Sequence, residues 1–360
     1  MQNDKIIRCL AYNGKVNIRC INSTNIVEEA RKIHNLSPTA TATLGRVLTI
    51  TSLMGKEMKE EKGTITTQIK GNGPIGSITA VSDNNGNVKG YVSNPQLELP
   101  LNPLNGKINV GEAVGNEGMI YIIKDIGLKE PYIGMTPIIS GEIAEDFTNY
   151  FATSEQTPTV VALGILVNKD GVKSAGGYLL TLMPDAGEEE IEKIEQALKN
   201  ADSISKMLSD GKELVEIAEE VTGDKNLMYF EDDSVPKYKC NCSKEKIEKS
   251  LITLGEKELN DIIEKDKKAE LICHFCNKKY LFTEEELRKL VLEEKVILLK
   301  RNECDITTTK ALDMISDSDF KCLSDYDFND LDNNTTLHND LVVGYTRSTF
   351  DTPVVRELEK

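Results

Sequence analysis

The chain has 360 residues, a length that predicts about two domains of ordinary size. Hydrophobic residues make up 39% and charged residues 28% of the sequence, values typical of a folded globular protein. No apolar run approaches the roughly 20 residues of a membrane span, and the first residues lack the apolar core of a signal peptide. We therefore expect a cytoplasmic protein that does not act at a membrane.

The charge of the chain is strongly acidic, and the acidic excess is confined to its later part. Acidic residues outnumber basic ones by 59 to 43, a net charge of −16. Residues 1–150 carry 15 charges of each sign, whereas residues 151–300 carry 31 acidic and 22 basic side chains. Proteins that bind nucleic-acid phosphates usually have a clear basic excess, so the composition predicts that nucleic acid is not a partner.

Residues 1–183 predict an α+β domain whose strands pair mainly in antiparallel fashion. Residues 5–21 alternate apolar and polar around Asn13-Gly14, a hairpin signal, and Ser37-Pro38 opens a run with helical spacing. Short turns rather than crossover helices separate the later strand-like runs, which favours antiparallel pairing. The strand-like runs are 64–70, 77–83, 87–93, 119–123, 159–167 and 176–183, with an acidic helix candidate at 141–153.

Residues 184–235 predict acidic helices that carry narrow apolar stripes. Between residues 188 and 220 there are 11 acidic residues and 4 lysines. The stripe residues are Ile191, Ile194 and Leu198 in one helix, and Leu214, Ile217, Ala218 and Val221 in another. Such helices are not stable alone in water and must dock on a partner. Ordinary surface helices of the first domain are one interpretation, and a separate linker is the other.

Four of the eight cysteines form two close pairs in residues 236–300. Cys240 and Cys242 form a CxC motif, and thirty residues later Cys273 and Cys276 form a CxxC motif. Each pair can bind one edge of a tetrahedron, so the spacing predicts a closed zinc site with four thiolate ligands. A region of this size has too little core to be stable alone, and we expect the metal to hold it folded. Four unrelated thiols are the alternative, and His274 is a weaker candidate ligand.

Close thiol pairs have a second chemistry that bears on function. When an oxidant attacks a zinc-bound thiolate, the neighbouring thiol can condense with it to a disulfide and the metal leaves. A disulfide across CxC is strained and therefore easily reduced. The spacing thus indicates a redox switch in addition to a structural zinc site.

The remaining chemical candidates do not assemble into an active site. Gly71–Gly76 imitates a dinucleotide-binding fingerprint, but strand-like residues follow it where a helix should begin, which favours a turn. Cys9 and Cys20 flank the first hairpin and are expected to be buried as small apolar residues. His34 and His338 are expected to be surface histidines, and Cys304 and Cys322 are tail thiols with no predicted role. Without a nucleophile, an acid-base pair or a phosphate loop, the sequence predicts that the protein is not an enzyme.

The residues above resemble the 33 kDa chaperonin family, the redox-regulated heat-shock holdases of bacteria. The CxC and CxxC motifs carry the resemblance, together with blocks of the first domain in matching order. These blocks are Gly71–Gly76, residues 83–92, residues 145–159 and residues 176–184. The resemblance covers residues 1 to about 300.

The resemblance implies a three-part switch. Residues 1–183 would bind client proteins, residues 184–235 would be the regulatory linker that covers the client surface, and residues 236–300 would hold one zinc ion in the reduced form. Oxidation would pair Cys240 with Cys242 and Cys273 with Cys276, release zinc and unfold the linker. The protein would then bind unfolding proteins without ATP. The oxidised form could assemble as a homodimer.

Three expectations complete the interpretation. Residues 301–360 extend beyond the usual end of the family and are rich in Asp, Asn, Ser and Thr, a composition that predicts a disordered acidic tail.

A thiol–disulfide oxidoreductase is the first rival function, but the thioredoxin-like βαβ pattern that normally holds a catalytic CxxC is absent. A zinc-ribbon nucleic-acid binder is the second, but residues 236–300 carry 15 basic and 13 acidic side chains, too even a balance for a basic stripe.

Overall fold

The computed structural model describes residues 3–103, 105–230, 234–301 and 343–345. The chain divides into two compact units, Met1–Cys240 and Asn241–Lys360. We call them the N-terminal and the C-terminal unit. Both combine helices with antiparallel strands, so the predicted α+β class is confirmed. Within the described ranges, no helix combines the length and the apolarity that a bilayer crossing requires.

The described residues of the N-terminal unit form ten strands and seven α-helices. The strands are β1 (Lys5–Ala11), β2 (Val16–Asn22), β3 (Thr64–Gly71), β4 (Ser77–Asp83), β5 (Val88–Val92), β6 (Gly118–Asp125), β7 (Tyr132–Pro137), β8 (Thr159–Asn168), β9 (Gly171–Leu182) and β10 (Met228–Phe230). The helices are α1 (Thr24–His34), α2 (Pro38–Lys56), α3 (Val110–Val114), α4 (Ala144–Thr153), α5 (Glu188–Asn200), α6 (Ile204–Ser209) and α7 (Leu214–Thr222).

The strands build two five-stranded sheets. The first sheet has the order β10-β1-β2-β9-β8 and the second has the order β5-β4-β3-β6-β7. All pairings within them are antiparallel, as the short turns predict. The predicted first hairpin is confirmed, since Lys5 lies opposite Asn22 and both Asn13 and Gly14 adopt the positive φ angles that a tight turn demands.

Helix α2 contacts strands of both sheets and forms the centre of the main core. Ser37 caps its first turn, accepting a hydrogen bond from the Ala40 amide at 3.1 Å, as the Ser-Pro start predicts. From Thr39 to Gly55 every residue except Arg46 is buried. The hydroxyls of Thr41, Thr43 and Thr49 donate to carbonyls one turn earlier, such as the 2.7 Å bond from Thr49 to Gly45.

The opposite face of the first sheet carries helices α5, α6 and α7. Side chains alternate along β1 and β2, so Ile6 and Ile21 join the main core while Ile7 and Ile18 face a second cluster. The helices contribute to that second cluster Ile194, Ile204, Met207, Leu214, Ile217, Ala218 and Val221. The stripe predicted for the last helix is therefore confirmed. In α5 only Ile194 of the predicted stripe is fully buried, and Ile191 and Leu198 are half-buried.

Residues Pro236–Lys239 run along the edge of the second sheet immediately before Cys240, and we call this segment the strap. Its backbone pairs with Val88 of β5 through two hydrogen bonds of 2.9 Å, one to the Lys237 carbonyl and one from the Lys239 amide. The Tyr238 hydroxyl donates to the Gly90 carbonyl at 2.9 Å and contacts His34 Nε2 at 3.1 Å. Because the hydroxyl proton goes to Gly90, His34 Nε2 acts as a donor. The strap is thus fixed by backbone and side-chain bonds together.

Replacing Tyr238 with phenylalanine should loosen the strap without unfolding the sheets. The variant loses the hydroxyl bonds to Gly90 and His34, a cost of about 1–2 kcal/mol. Amide hydrogen exchange at Lys239 should accelerate about five- to thirty-fold, which corresponds to that cost if exchange follows local opening of the strap. Tyr229→Phe, on β10, is the matched control. Unchanged exchange at Lys239 in the Tyr238 variant would contradict the anchoring role of the hydroxyl.

The C-terminal unit is a small α+β arrangement with its own core. Its elements are α8 (Lys244–Ile252), α9 (Glu256–Asp266), β11 (Lys268–Cys273), β12 (Lys279–Thr283), α10 (Glu284–Arg301) and β13 (Val343–Tyr345). Strand β11 pairs antiparallel with both β12 and β13. Buried apolar residues include Ile247, Leu251, Leu259, Ile263, Phe275, Phe282 and Leu287. Of the predicted tail 301–360, the structure describes Arg301 at the end of α10 and the three residues of β13, and the rest lies outside the described residues.

Candidate metal centre

The four cysteines of the CxC and CxxC motifs come together in one cluster. Their Sγ atoms all lie within 4.8 Å of one another, and those of Cys242 and Cys276 are 3.4 Å apart. Four sulfurs that bind zinc at 2.3 Å occupy the corners of a tetrahedron with edges of about 3.8 Å. The spacing of the cluster therefore fits a four-coordinate metal ion held by thiolates. Cys273 is fully buried and the other three cysteines are half-buried.

A tight turn after β11 positions the CxxC pair. The carbonyl of Cys273 accepts hydrogen bonds from the amides of Cys276 at 3.3 Å and Asn277 at 2.8 Å, and the Cys273 amide donates to Lys278 at 2.9 Å. Asn277 has a φ angle of 57°, the left-handed conformation that asparagine tolerates better than most residues. The chain then returns as β12, so the two cysteines sit at the closed end of a hairpin.

The CxC pair lies in an extended segment that leads into α8. Ser243 follows Cys242 directly and caps the helix, accepting a hydrogen bond from the Lys246 amide at 3.3 Å. The cap fixes where the helix begins. Ser243 is the single residue between the CxC pair and the helix, so the position of Cys242 depends on the start of α8.

One tyrosine hydroxyl contacts the thiol cluster, and two lysines lie over aromatic rings of β12. The Tyr280 hydroxyl donates to Cys242 Sγ at 3.1 Å. Burial raises the pKa of Tyr280, and the hydrogen bond to Cys242 raises it further, so the hydroxyl remains a donor across the physiological range. Lys278 Nζ lies 5.0 Å from the centroid of the Tyr280 ring, and Lys244 Nζ lies 5.1 Å from that of Phe282.

Among the described residues, the other candidates from the sequence do not belong to the four-thiol group. His274 is half-buried and does not belong to the four-thiol group, and burial lowers its pKa. Gly71–Gly76 is the turn between β3 and β4, as predicted, and Cys9 and Cys20 are buried, as predicted. His34 is half-buried against Tyr238 instead of lying on the surface. His338, Cys304 and Cys322 lie outside the described residues.

Sequence reasoning did not identify Tyr280 or the strap. Tyr280 lies four residues beyond the CxxC motif, and its inward position follows from the alternation of β12, whose residues Tyr280 and Phe282 are buried while Leu281 is exposed. That alternation was the one signal available. Tyr238 lies in a lysine-rich stretch with no periodic pattern, and its partners Gly90 and His34 are distant in sequence.

Comparison with known proteins gives a consistent match over most of the chain. The family model described as Hsp33 protein matches residues 4–283. A 33 kDa chaperonin of Clostridioides difficile is 50% identical over 290 residues, which are 81% of this chain and 99% of that protein. A 33 kDa chaperonin of Clostridium perfringens strain 13 is 46% identical over 294 residues, covering 81% of this chain and 92% of that protein.

A solved structure gives the same result in three dimensions. The 33 kDa chaperonin of Thermotoga maritima, a heat shock protein 33 homologue, superimposes with a TM-score of 0.74 at 39% sequence identity. The match covers 82% of this chain and 99% of the Thermotoga maritima chain. The resemblance found from the cysteine motifs and the first-domain blocks is thus confirmed, and the chain belongs to the Hsp33 family.

Proposed function

We propose that the protein is a redox-regulated, ATP-independent chaperone that holds unfolding proteins after oxidation. The names of its relatives, 33 kDa chaperonin and heat shock protein 33 homologue, support the chaperone part of the proposal. The observation that carries the redox part is the four-thiol cluster, because close thiols can bind a metal when reduced and form disulfides when oxidised. The chaperone would act in the cytoplasm, during heat and oxidative stress.

In the reduced protein, Cys240, Cys242, Cys273 and Cys276 would bind one zinc ion per chain. Four thiolates leave no open coordination position, so the metal would act structurally and not as a catalyst. Bound zinc would contribute on the order of 10–16 kcal/mol, comparable with the whole stability of a small domain. The fold of the C-terminal unit would therefore depend on the redox state of these sulfurs.

Oxidation by peroxide would form two disulfides, Cys240–Cys242 and Cys273–Cys276. For each disulfide, two thiols lose two electrons and two protons while one peroxide molecule is reduced to two water molecules. Zinc leaves because a disulfide sulfur carries no negative charge to bind it. We favour pairing within the motifs because each pair is already joined by a short segment of chain.

Loss of zinc would release the helices that cover the first sheet. The residues 187–222 are held on that sheet by apolar side chains such as Ile194, Met207 and Ile217, and their outer surface is densely acidic. When the metal no longer stabilises the chain that follows them, acidic repulsion favours the open state. The uncovered face, which includes Ile7, Ile18 and Leu180, would bind apolar segments of unfolding clients. A homodimer of the oxidised protein belongs to the same proposal.

The two rival functions have less support. In thiol–disulfide oxidoreductases the CxxC motif starts a helix of a βαβ unit, whereas here it follows β11 in a hairpin. A nucleic-acid binder would present a basic surface, but the net charge of the chain is −16.

The proposal is tested by light scattering from a heat-denatured client enzyme without ATP. Zinc-loaded reduced protein should leave aggregation unchanged, whereas protein oxidised with peroxide should suppress it and should have released its zinc. Peptide mapping should find mainly Cys240–Cys242 and Cys273–Cys276. Equal suppression by both forms would exclude redox control, and catalytic reduction of a disulfide substrate would favour the oxidoreductase.

A further inference from the structure

Two cysteines outside the metal centre share the sheet face that α5, α6 and α7 cover. Cys9 lies on β1 and Cys20 on β2, and both are 0% exposed within the second cluster. Cys9 lies opposite Ile18, and Cys20 lies opposite Ile7. The two cysteines are therefore diagonal neighbours on adjacent strands, with their side chains on the same face of the sheet.

The helices above these thiols keep them unreactive. Burial raises the pKa of Cys9 to about 11, with a further contribution from the negative charge of Glu219 on α7. Burial also raises the pKa of Cys20, and the nearby Cys9 adds to the shift. Since the thiolate is the reactive form, these thiols have neither the solvent access nor the ionisation that reaction requires while the helices are docked.

We propose that Cys9 and Cys20 form a cryptic modification site, which low-molecular-weight disulfides reach only when α5–α7 have left the first sheet. The inference rests on the undocking step of the proposed function. The reaction is thiol–disulfide exchange: a cysteine thiolate attacks one sulfur of the disulfide, a mixed disulfide forms, and the other half leaves as a thiolate. The proton that the cysteine loses ends on the leaving thiolate, so no further oxidant is needed.

A modified thiol would prevent the helices from docking again. The space around Cys9 and Cys20 is filled by apolar side chains, among them Ile7, Ile18 and Leu180, all of them fully buried. Buried cores are close-packed. The group added by a mixed disulfide therefore cannot fit unless the helices separate from the sheet. The mixed disulfide would therefore hold the client-binding face open until a reductant removes it. This regulatory lock would act on the sheet face itself and would not involve the metal-binding cysteines.

The access part of the proposal is tested with glutathione disulfide as the probe and mass spectrometry of the peptides that contain Cys9 and Cys20. Four full-length samples are compared: zinc-loaded wild type, peroxide-activated wild type freed of peroxide, zinc-loaded Ile194→Asp and zinc-loaded Gln196→Asp. Ile194 faces the second cluster, whereas Gln196 is exposed on the same helix, so both variants add one charge but only one disturbs docking. Modification should be at least about 100-fold faster in the activated wild type and in Ile194→Asp than in the other two samples.

The outcomes separate this proposal from the proposed function. Equal rates of modification in all four samples would overturn the cryptic site. The site would also be overturned if Ile194→Asp stayed unmodified while hydrogen exchange showed that α5–α7 had left the sheet. Modification in Ile194→Asp but not in activated wild type would support the site and show that oxidation does not undock the helices.

The locking part is tested in zinc-loaded protein whose helices α5–α7 are first released from the sheet with moderate urea. The opened protein is treated with glutathione disulfide and then returned to buffer without urea. Zinc content is measured at each step. Wild type should keep its chaperone activity until a thiol reductant is added. The Cys9→Ala/Cys20→Ala variant should return to the inactive form at once. Loss of activity in wild type whose Cys9 or Cys20 is shown to be modified would overturn the lock.

Discussion

Replacing Cys273 with serine should release the zinc and unfold the strands of the C-terminal unit. Cys273 is the most buried of the four cysteines, and its neighbours in the hairpin turn depend on its backbone bonds. Serine is a poor zinc ligand, so most of the roughly 10–16 kcal/mol contributed by the metal should be lost. That loss exceeds what a small unit of this kind can supply by apolar burial.

Zinc content and hydrogen exchange check this expectation. Metal analysis should give about one zinc per chain for the wild type and nearly none for Cys273→Ser. Amides of β11 and β12 should exchange at rates close to those of an unfolded chain, and client aggregation should be suppressed without peroxide. Leu281→Ser, on the exposed side of β12, is the matched control and should retain zinc. Full zinc in the Cys273 variant would refute its assignment as a ligand.

Replacing Ile194 with aspartate should activate the protein while zinc stays bound. Ile194 is only 4% exposed and contributes to the second cluster, so the variant would have to bury a carboxylate among apolar side chains. The cost, about 3–5 kcal/mol, is subtracted directly from the free energy that holds the helices on the sheet. The helices should therefore leave the sheet even though the metal centre is intact.

Three measurements on zinc-loaded Ile194→Asp test this result. Amides in residues 187–222 should lose protection by a factor on the order of 100 to 1,000, while those of β1, β2 and β9 should keep theirs. Client aggregation should fall to a level between those of the reduced and the oxidised wild type. Gln196→Asp should behave as wild type. Chaperone activity that appears while α5–α7 stay fully protected would show that undocking is not the cause.

The elements that local patterns predict are those whose partners lie close along the chain. The hairpin of β1 and β2, the meander from β3 to β5 and the capped start of α2 all follow from alternation, turn residues or a cap. The four clustered cysteines could also be grouped from sequence, because a tetrahedral zinc site needs four ligands and two close pairs supply them.

The features that sequence reasoning missed depend on distant partners. The three residues of β10 are too few to show a period and become a strand because the edge of β1 is available to them. The burial of α2 on almost every side could not be inferred from its pattern, since that requires knowing that two sheets contact it. The role of Tyr238 depends on Gly90 and His34, which are 148 and 204 residues away in the chain.

The pairing of β10 with β1 also sets the order in which this protein can fold during synthesis. Arg8 pairs with Phe230, so the edge of the first sheet is completed only when the chain has grown far beyond its last long strand, which ends at Leu182. Translation at about 5–20 residues per second needs roughly 2–10 s for the intervening 48 residues. Early in that interval β1, β2, β8 and β9 have been synthesised while α5–α7 are incomplete, so the apolar face of the first sheet has no cover. We expect released chains that end near residue 185 to be prone to aggregation or client capture, and chains that extend past residue 240 to be protected.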